Sequence, residues 1–119
     1  MSKPVETHSV DDHFAGKDPS VREVYNRVLS VLRDIGPVAE EAKKTSIHLV
    51  RTSALAGVET RKGYLLLNLK ADHLVEGPRV VKSEQLSARR YHFKVKLSRP
   101  DEVDAELQGW LRHAYDLSG

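Results

Sequence analysis

The sequence contains no cysteine, which excludes a disulfide framework, a thiolate nucleophile and any Cys-based zinc or iron–sulfur site. Aromatics are sparse, with one Trp, two Phe and four Tyr, so a surface that stacks bases would have to be assembled from very few side chains. Long apolar runs are missing as well. The longest, Tyr64 to Leu67, falls far short of the roughly 20 residues of a membrane helix. Met1 to His13 is polar and lacks the apolar core of a secretion signal. The expectation is a cytoplasmic protein with no membrane segment. Catalytic signatures are absent too: no His-Glu-x-x-His, Gly-x-Ser-x-Gly, phosphate-loop or dinucleotide-loop pattern occurs. The acid-x-Lys strand motif of restriction-type nucleases fails both at Glu59-Thr60-Arg61 and at Glu84-Gln85-Leu86.

What is present is charge sorted into blocks. Met1 to Ala42 holds 5 basic and 8 acidic residues, Lys43 to Arg99 holds 13 and 4, and Pro100 to Gly119 holds 1 and 5. The overall +2 therefore hides a strongly basic middle between two acidic ends. The basic block carries the strand-like residues and the acidic blocks read as helices, which predicts one electropositive surface. At 119 residues the chain suits one domain, expected over residues 9–119 after a loose tail at 1–8.

Periodicity supplies the elements. Ser9 is placed to cap a single turn through Phe14. Asp18 as N-cap and Pro19 at the first helical position open a helix whose stripe runs Val21, Val24, Tyr25, Val28, Leu32, Ile35 and stops at Gly36-Pro37. Residues 37–43 are ambiguous between helix and strand. From Thr45 the period becomes two: Ile47 and Leu49, then Ala54 to Thr60, then a hairpin at Arg61-Lys62-Gly63, where Gly63 is expected to supply a positive φ, into Tyr64 to Ala71. Val80 to Ala88 reads as edge strand or loop, and Arg90 to Leu97 as a strand with Tyr91, Phe93, Val95 and Leu97 on one side. Ser98 or Asp101 is expected to cap a last amphipathic helix bearing Val103, Leu107, Trp110, Leu111 and Ala114. The predicted fold is α+β: a small antiparallel β-sheet meander covered on one face by an N-terminal and a C-terminal helix.

Several of these segments have a familiar combination. Gly36-Pro37-Val38, Lys43-Lys44-Thr45-Ser46-Ile47, the Arg61-Lys62-Gly63 hairpin and His92 precede Ser98, Glu102-Val103-Asp104, Glu106-Leu107, Trp110-Leu111 and Ala114-Tyr115. Together they resemble a small bacterial family, domain of unknown function number 5655. The resemblance spans about Asp12 to Ser118 and is most specific in the last helix. It implies the α+β fold and a bacterial origin more than any activity. Where members carry an aromatic in the strand after the Lys-Thr segment, this chain has Leu55-Ala56-Gly57.

With helices over the odd-numbered side of the strands, the other side shows Lys44, Ser46, His48, Asn68, Lys70, Arg90, His92, Lys94 and Lys96, with Arg61 and Lys62 at the hairpin. Such cations repel unless they are solvated or meet an anion. Tyr64, Val50 and Leu66 share that side, so the face is not purely solvated. The leading expectation is a non-enzymatic module that binds an anionic partner, nucleic acid or another polyanion, through this sheet face and hairpin. The alternative is a protein-interaction or homo-oligomerisation module whose basic block meets Asp101, Glu102, Asp104 and Glu106 of a second copy. A third reading is an enzyme using His48 and His92 as acid and base. No catalytic residue, metal ligand or cofactor is assigned; His8, Asp12 and His13 are set aside because a spacing of five puts the two histidines off a shared helical face. Trp110 is expected in the core, and Tyr91 and Phe93 on the covered side, which leaves the open sheet without a stacking platform apart from Tyr64.

Overall fold

Side chains spaced three and four apart build α1 (Pro19–Ile35), whose stripe of Val21, Val24, Tyr25, Val28, Leu29, Val31 and Leu32 is buried. The computed structural model describes residues 9–119; the tail over 1–8 and His8 of the weighed metal triplet lie outside the described residues. Before α1, Ser9 and Asp12 exchange side-chain-to-backbone hydrogen bonds around a short 3-10 turn at Asp11–Phe14. Six strands follow: β1 (Ala39–Ala42), β2 (Ile47–Val50), β3 (Ala54–Thr60), β4 (Leu65–Ala71), β5 (Val80–Ser87) and β6 (Arg90–Leu97). They form one antiparallel sheet in the order β1-β2-β3-β4-β6-β5, a meander in which the chain steps over one place after β4 and returns through the β5–β6 hairpin. Finally α2 (Ala105–Asp116) buries Leu107, Leu111, Ala114 and Tyr115. No described helix is long and apolar enough to cross a membrane.

The helix-bearing face is a continuous apolar layer. Ile47 and Leu49 stand opposite Val58 and Ala56, Val58 and Ala56 opposite Leu67 and Leu69, and Leu67 and Leu69 opposite Val95 and Phe93. All of these are buried, and α1 and α2 pack over them in a single core. Burying side chains of this size contributes about 1.5–3 kcal/mol each, which is why the alternation alone specifies which face is covered.

The ambiguous segment 37–43 resolves as strand. Ala39–Ala42 adds a short edge to β2, from Ala39 opposite Val50 to Ala42 opposite Ile47. Its helix-side Glu40 accepts a 2.6 Å hydrogen bond from the Tyr25 hydroxyl and lies 3.4 Å from Arg33. These tertiary partners on α1 outweigh the helical propensity of the segment. Burial and the Glu40 carboxylate together push the Tyr25 hydroxyl pKa strongly up, so it stays a donor. Val80–Ser87 is likewise an edge strand.

Two local expectations are corrected. Gly63 does not have a positive φ; among the described residues only Gly16 and Gly77 do. A Cβ at Gly63 would instead stand 3.3 Å from Asp18 Oδ2, so glycine there admits the start of α1 beside the hairpin, where the Asp18 N–H donates to Lys62 O at 2.8 Å. The cap of α2 is Asp104, not Ser98 or Asp101: its Oδ1 accepts from Leu107 N at 3.1 Å. Pro100–Glu102 forms a separate 3-10 turn in which Glu102 Oε1 accepts from the Ser98 and Arg99 N–H groups. At the other end of α1, a Cβ on Gly36 would overlap the Tyr115 hydroxyl, which donates to Pro37 O.

Trp110 lies at the margin of the core, partly buried, edge-on to Phe93 with ring centroids 5.1 Å apart. Leu111 has no exposed surface. Urea denaturation should therefore rank the two: Leu111→Ala should cost about 2–5 kcal/mol, as other buried leucine truncations do. Trp110→Ala should fall below the roughly 3–5 kcal/mol of a fully buried tryptophan. The reverse order would mean that Trp110 carries the helix–sheet contact.

Candidate anion-binding site

The alternation that buries one face assigns the residues of the other. In pairing order across the open face, one row reads Glu41, His48, Gly57, Asn68, Lys94 and Lys82. The next reads Lys70, His92 and Glu84, and a third Glu59, Leu66 and Lys96. Gly57 has no side chain, and its row is therefore sunken between His48 and Asn68. A Cβ there would sit 3.9 Å from Asn68 Cβ and 4.0 Å from His48 Cδ2, ordinary contact distances. The result is a hollow of about 140 Å³ whose lining includes His48, Leu55, Gly57, Asn68, Lys70 and His92. Liquid water occupies about 30 Å³ per molecule, so a tetrahedral oxyanion fits with water to spare. A second hollow of about 160 Å³ adjoins it, sharing Asn68 and His92 and adding Lys82, Glu84 and Lys94.

Lys70 is the unusual member. It is only 9% exposed, and among the described residues no carboxylate lies within ion-pair distance of it. An ammonium carries three donors, and one is used, on Ser53 Oγ at 3.0 Å. Burial, aided by the Arg90 charge, lowers its pKa. His92 is shifted the same way: burial first, then the charges of Arg90 and Lys70, lower its pKa against a smaller opposing effect of Glu84. Asn68 Oδ1 is buried and has no hydrogen-bond partner among the described residues. A half-turn of that amide exchanges its oxygen for an NH2 donor.

Ser53 is held in place from the other side of the molecule. The Thr52 and Ser53 N–H groups both donate to Ser118 O at 3.1 Å, and Arg51 stacks over Tyr115 at 4.3 Å while donating to its carbonyl. The end of α2 thus fixes the β2–β3 loop, and the loop fixes the only polar partner of Lys70 among the described residues.

The other expected cations divide. Lys94 lies on the open face but pairs with Glu59 at 3.6 Å, which also takes Arg61 from the hairpin at 3.2 Å. Lys96 lies over the Tyr64 ring at 4.4 Å, covering the one aromatic expected on that face. Arg90, at the start of β6, acts on Lys70 and His92 through its charge. Lys44 sits exposed in the β1–β2 turn. Lys62 is turned elsewhere: it reaches Gly16 O at 3.0 Å and Asp18 Oδ1 at 3.8 Å, toward the start of α1. His48 and His92 line the same hollow, yet β3 and β4 stand between their strands, which puts their backbones roughly 14 Å apart at 4.7–4.9 Å per strand. Among the described residues no carboxylate lines that hollow; Glu41 and Glu84 stand opposite His48 and His92 in register without a hydrogen bond to either imidazole.

Sequence reasoning placed Asn68 on the open face without assigning it to the site, and missed Gly57 and Ser53. A glycine within an alternating strand is the available signal for Gly57, since it marks a gap or a close approach; strand alternation is the signal for Asn68, and Ser53 carries none. In comparisons with known proteins, the model of one family, described as "Domain of unknown function (DUF5655)", matches residues 10–118. No curated protein and no solved structure matches the chain.

Two measurements probe the hollow. Lys70→Met keeps the length of the side chain and removes a desolvated charge, so its stability in urea should equal the parent's or exceed it by about 1 kcal/mol. A loss above about 2 kcal/mol would mean the ammonium is structurally required. The second concerns pH. Because the pKa of His92 is lowered in the folded chain, the unfolded chain takes up this proton first as pH falls, and stability declines from about pH 6.5 downward until the folded His92 titrates. His92→Gln should reduce that decline relative to the parent in thermal melts between about pH 8 and 5. Superimposable pH dependences would contradict the burial assigned to His92.

Proposed function

From the premise that the chain belongs to the DUF5655 family, we propose that it is a non-enzymatic module that binds an anionic partner, nucleic acid, through the open sheet face, with one phosphate group at Lys70. The observation that carries this reading is Lys70, a residue only 9% exposed whose ammonium has no carboxylate partner among the described residues. A desolvated charge is costly unless it is paired, and a phosphate oxygen would fill its unused donors. The Asn68 amide and a protonated His92 would add donors to the same group, and Arg90, Lys94, Lys96 and Lys44 would follow a backbone beyond it. Tyr64 is covered by Lys96, and Tyr91 and Phe93 pair into the helix-facing register, so bases find no stacking platform. Recognition by phosphate contacts alone positions a strand without reading its sequence. In a cytoplasmic setting nucleic acid is the abundant polyanion of this kind.

The reading of His48 and His92 as an acid–base pair has less support: two strands stand between them, and among the described residues no carboxylate is hydrogen-bonded to either imidazole, although Glu41 and Glu84 stand opposite them in register. An interaction module has one observation in its favour: β5 is an open edge with Val81 55% and Leu86 48% exposed. Its proposed acidic counterpart is partly occupied, because Arg79 of the same chain already holds Asp104 at 2.8 Å and Glu106 at 3.2 Å.

Fluorescence anisotropy with short single-stranded DNA and RNA at about 50 mM salt, where electrostatic association is strong, tests the proposal. The logarithm of affinity should fall with the logarithm of salt by about 0.7 per phosphate neutralised. Lys70→Met should weaken binding about tenfold, the loss of one charge-assisted contact. Lys94→Gln with Lys96→Gln should flatten the salt slope, and Arg27→Glu, exposed on α1, should change little. Inorganic phosphate should raise the NMR-measured pKa of His92, since an anion beside an imidazole favours its protonated form. Absence of binding to both nucleic acids rejects them as the partner. A concentration-dependent dimer in light scattering would then favour the interaction module.

A further inference from the structure

Outside the open sheet face, the end of β4 and the last turn of α2 meet at three side chains with metal-ligand chemistry, Asp72 and His113 being 41 positions apart in the chain. Asp72 follows the last residue of β4, His73 comes next, and His113 lies in the last turn of α2. Asp72 Oδ1 lies 2.8 Å from His73 Nδ1 and 2.9 Å from His113 Nε2. One ligand atom from each residue falls within 4.8 Å of the other two. The imidazole rings are 5.7 Å apart and inclined at 54°, so they do not lie flat on one another, and each aims a nitrogen at the same carboxylate oxygen. Asp72 and His73 are exposed and His113 is half-buried, which leaves the cluster open to a small ion without any movement of the core.

Two imidazole nitrogens and one carboxylate oxygen are the donors of zinc-class cations; calcium and magnesium prefer all-oxygen sets. We propose that Asp72, His73 and His113 form a binding site for a divalent transition-metal cation such as Zn2+, with a fourth coordination position left to water. A tetrahedral site with bonds of about 2.0–2.2 Å has donor–donor edges of about 3.4 Å. The present separations, 2.8 and 2.9 Å to the carboxylate oxygen and at most 4.8 Å overall, bracket that edge. Small rotations of three accessible side chains therefore complete the geometry. The backbones need not move, because β4 and α2 are both anchored in the core. Since β4 and α2 come together only in the folded chain, the ion binds the native state and stabilises it. The site shares no residue with the Lys70 hollow, and its test is independent of the anion reading.

A tag-free chain titrated with Zn2+ by calorimetry, and with Co2+ by visible absorption, provides that test. The expected result is one equivalent bound with a dissociation constant below about 100 μM, against a fully hydrated competitor state at neutral pH. A visible d–d band should appear with Co2+. The melting temperature should rise by roughly 5–10 °C at a hundredfold excess over the dissociation constant. His73→Ala and His113→Ala should each weaken binding by about tenfold or more, since even indirect supports of a metal site are worth that much. His48→Ala with His92→Ala should leave it unchanged. Circular dichroism confirms that each variant is folded, as expected for such accessible positions. No binding by the intact chain at about 100 μM metal, or binding that survives undiminished in the His73→Ala, His113→Ala double variant, overturns the proposal.

Discussion

Antiparallel pairing of β4 with β6, unbroken from Leu65 opposite Leu97 to Ala71 opposite Tyr91, sets both faces of this molecule at once. Leu65, Leu67 and Leu69 meet Leu97, Val95 and Phe93 under the helices, while Asn68 and Lys70 meet Lys94 and His92 on the other side. A slip of one residue would exchange the two sets. It would drive lysines beneath α1 and α2 and expose leucines, at about 1.5–3 kcal/mol for each large apolar side chain uncovered. The burial that holds the fold together is therefore the same constraint that collects the polar groups of the candidate site.

Charge is handled locally across part of this surface. Part of the basic middle block is answered within the chain: Arg79 by Asp104 and Glu106, Arg61 and Lys94 by Glu59, and Lys62 by Asp18. These pairs are mostly exposed and each contributes little to stability, yet they remove their cations from any uniformly electropositive face. Lys70 stands apart because it is only 9% exposed and, among the described residues, no carboxylate lies within ion-pair distance of it. The candidate site is thus centred on one desolvated charge within a more exposed basic surface.

That point is supported from beneath. The Ser118 carbonyl holds the Thr52 and Ser53 backbone, Arg51 lies over Tyr115, and Ser53 receives the Lys70 ammonium. The Ser118 hydroxyl, itself buried, donates to Ala114 O. A group positioned through a loop tied to a helix end keeps its geometry better than one on a free loop. The hollow beside it depends equally on a missing atom, the Cβ of Gly57.

The sequence by itself determined α1 with Pro19 at its start, the period-two strands, the apolar stripe of α2, and the side of each strand on which His48, Lys70, His92, Lys94 and Lys96 lie. These follow from spacing along the chain, a local property that folding preserves. Tertiary structure alone decided that Ala39–Ala42 is a strand, because its hydrogen bonds to β2 and the Tyr25–Glu40 contact come from distant residues. It decided as well that Lys62 turns toward α1, that Glu59 neutralises Lys94, and that Gly57 opens a hollow at Lys70. The approach of His113 to Asp72 belongs to the same class. Which side chains meet across strands or between a strand and a helix depends on register and packing, and no spacing within a single segment encodes that.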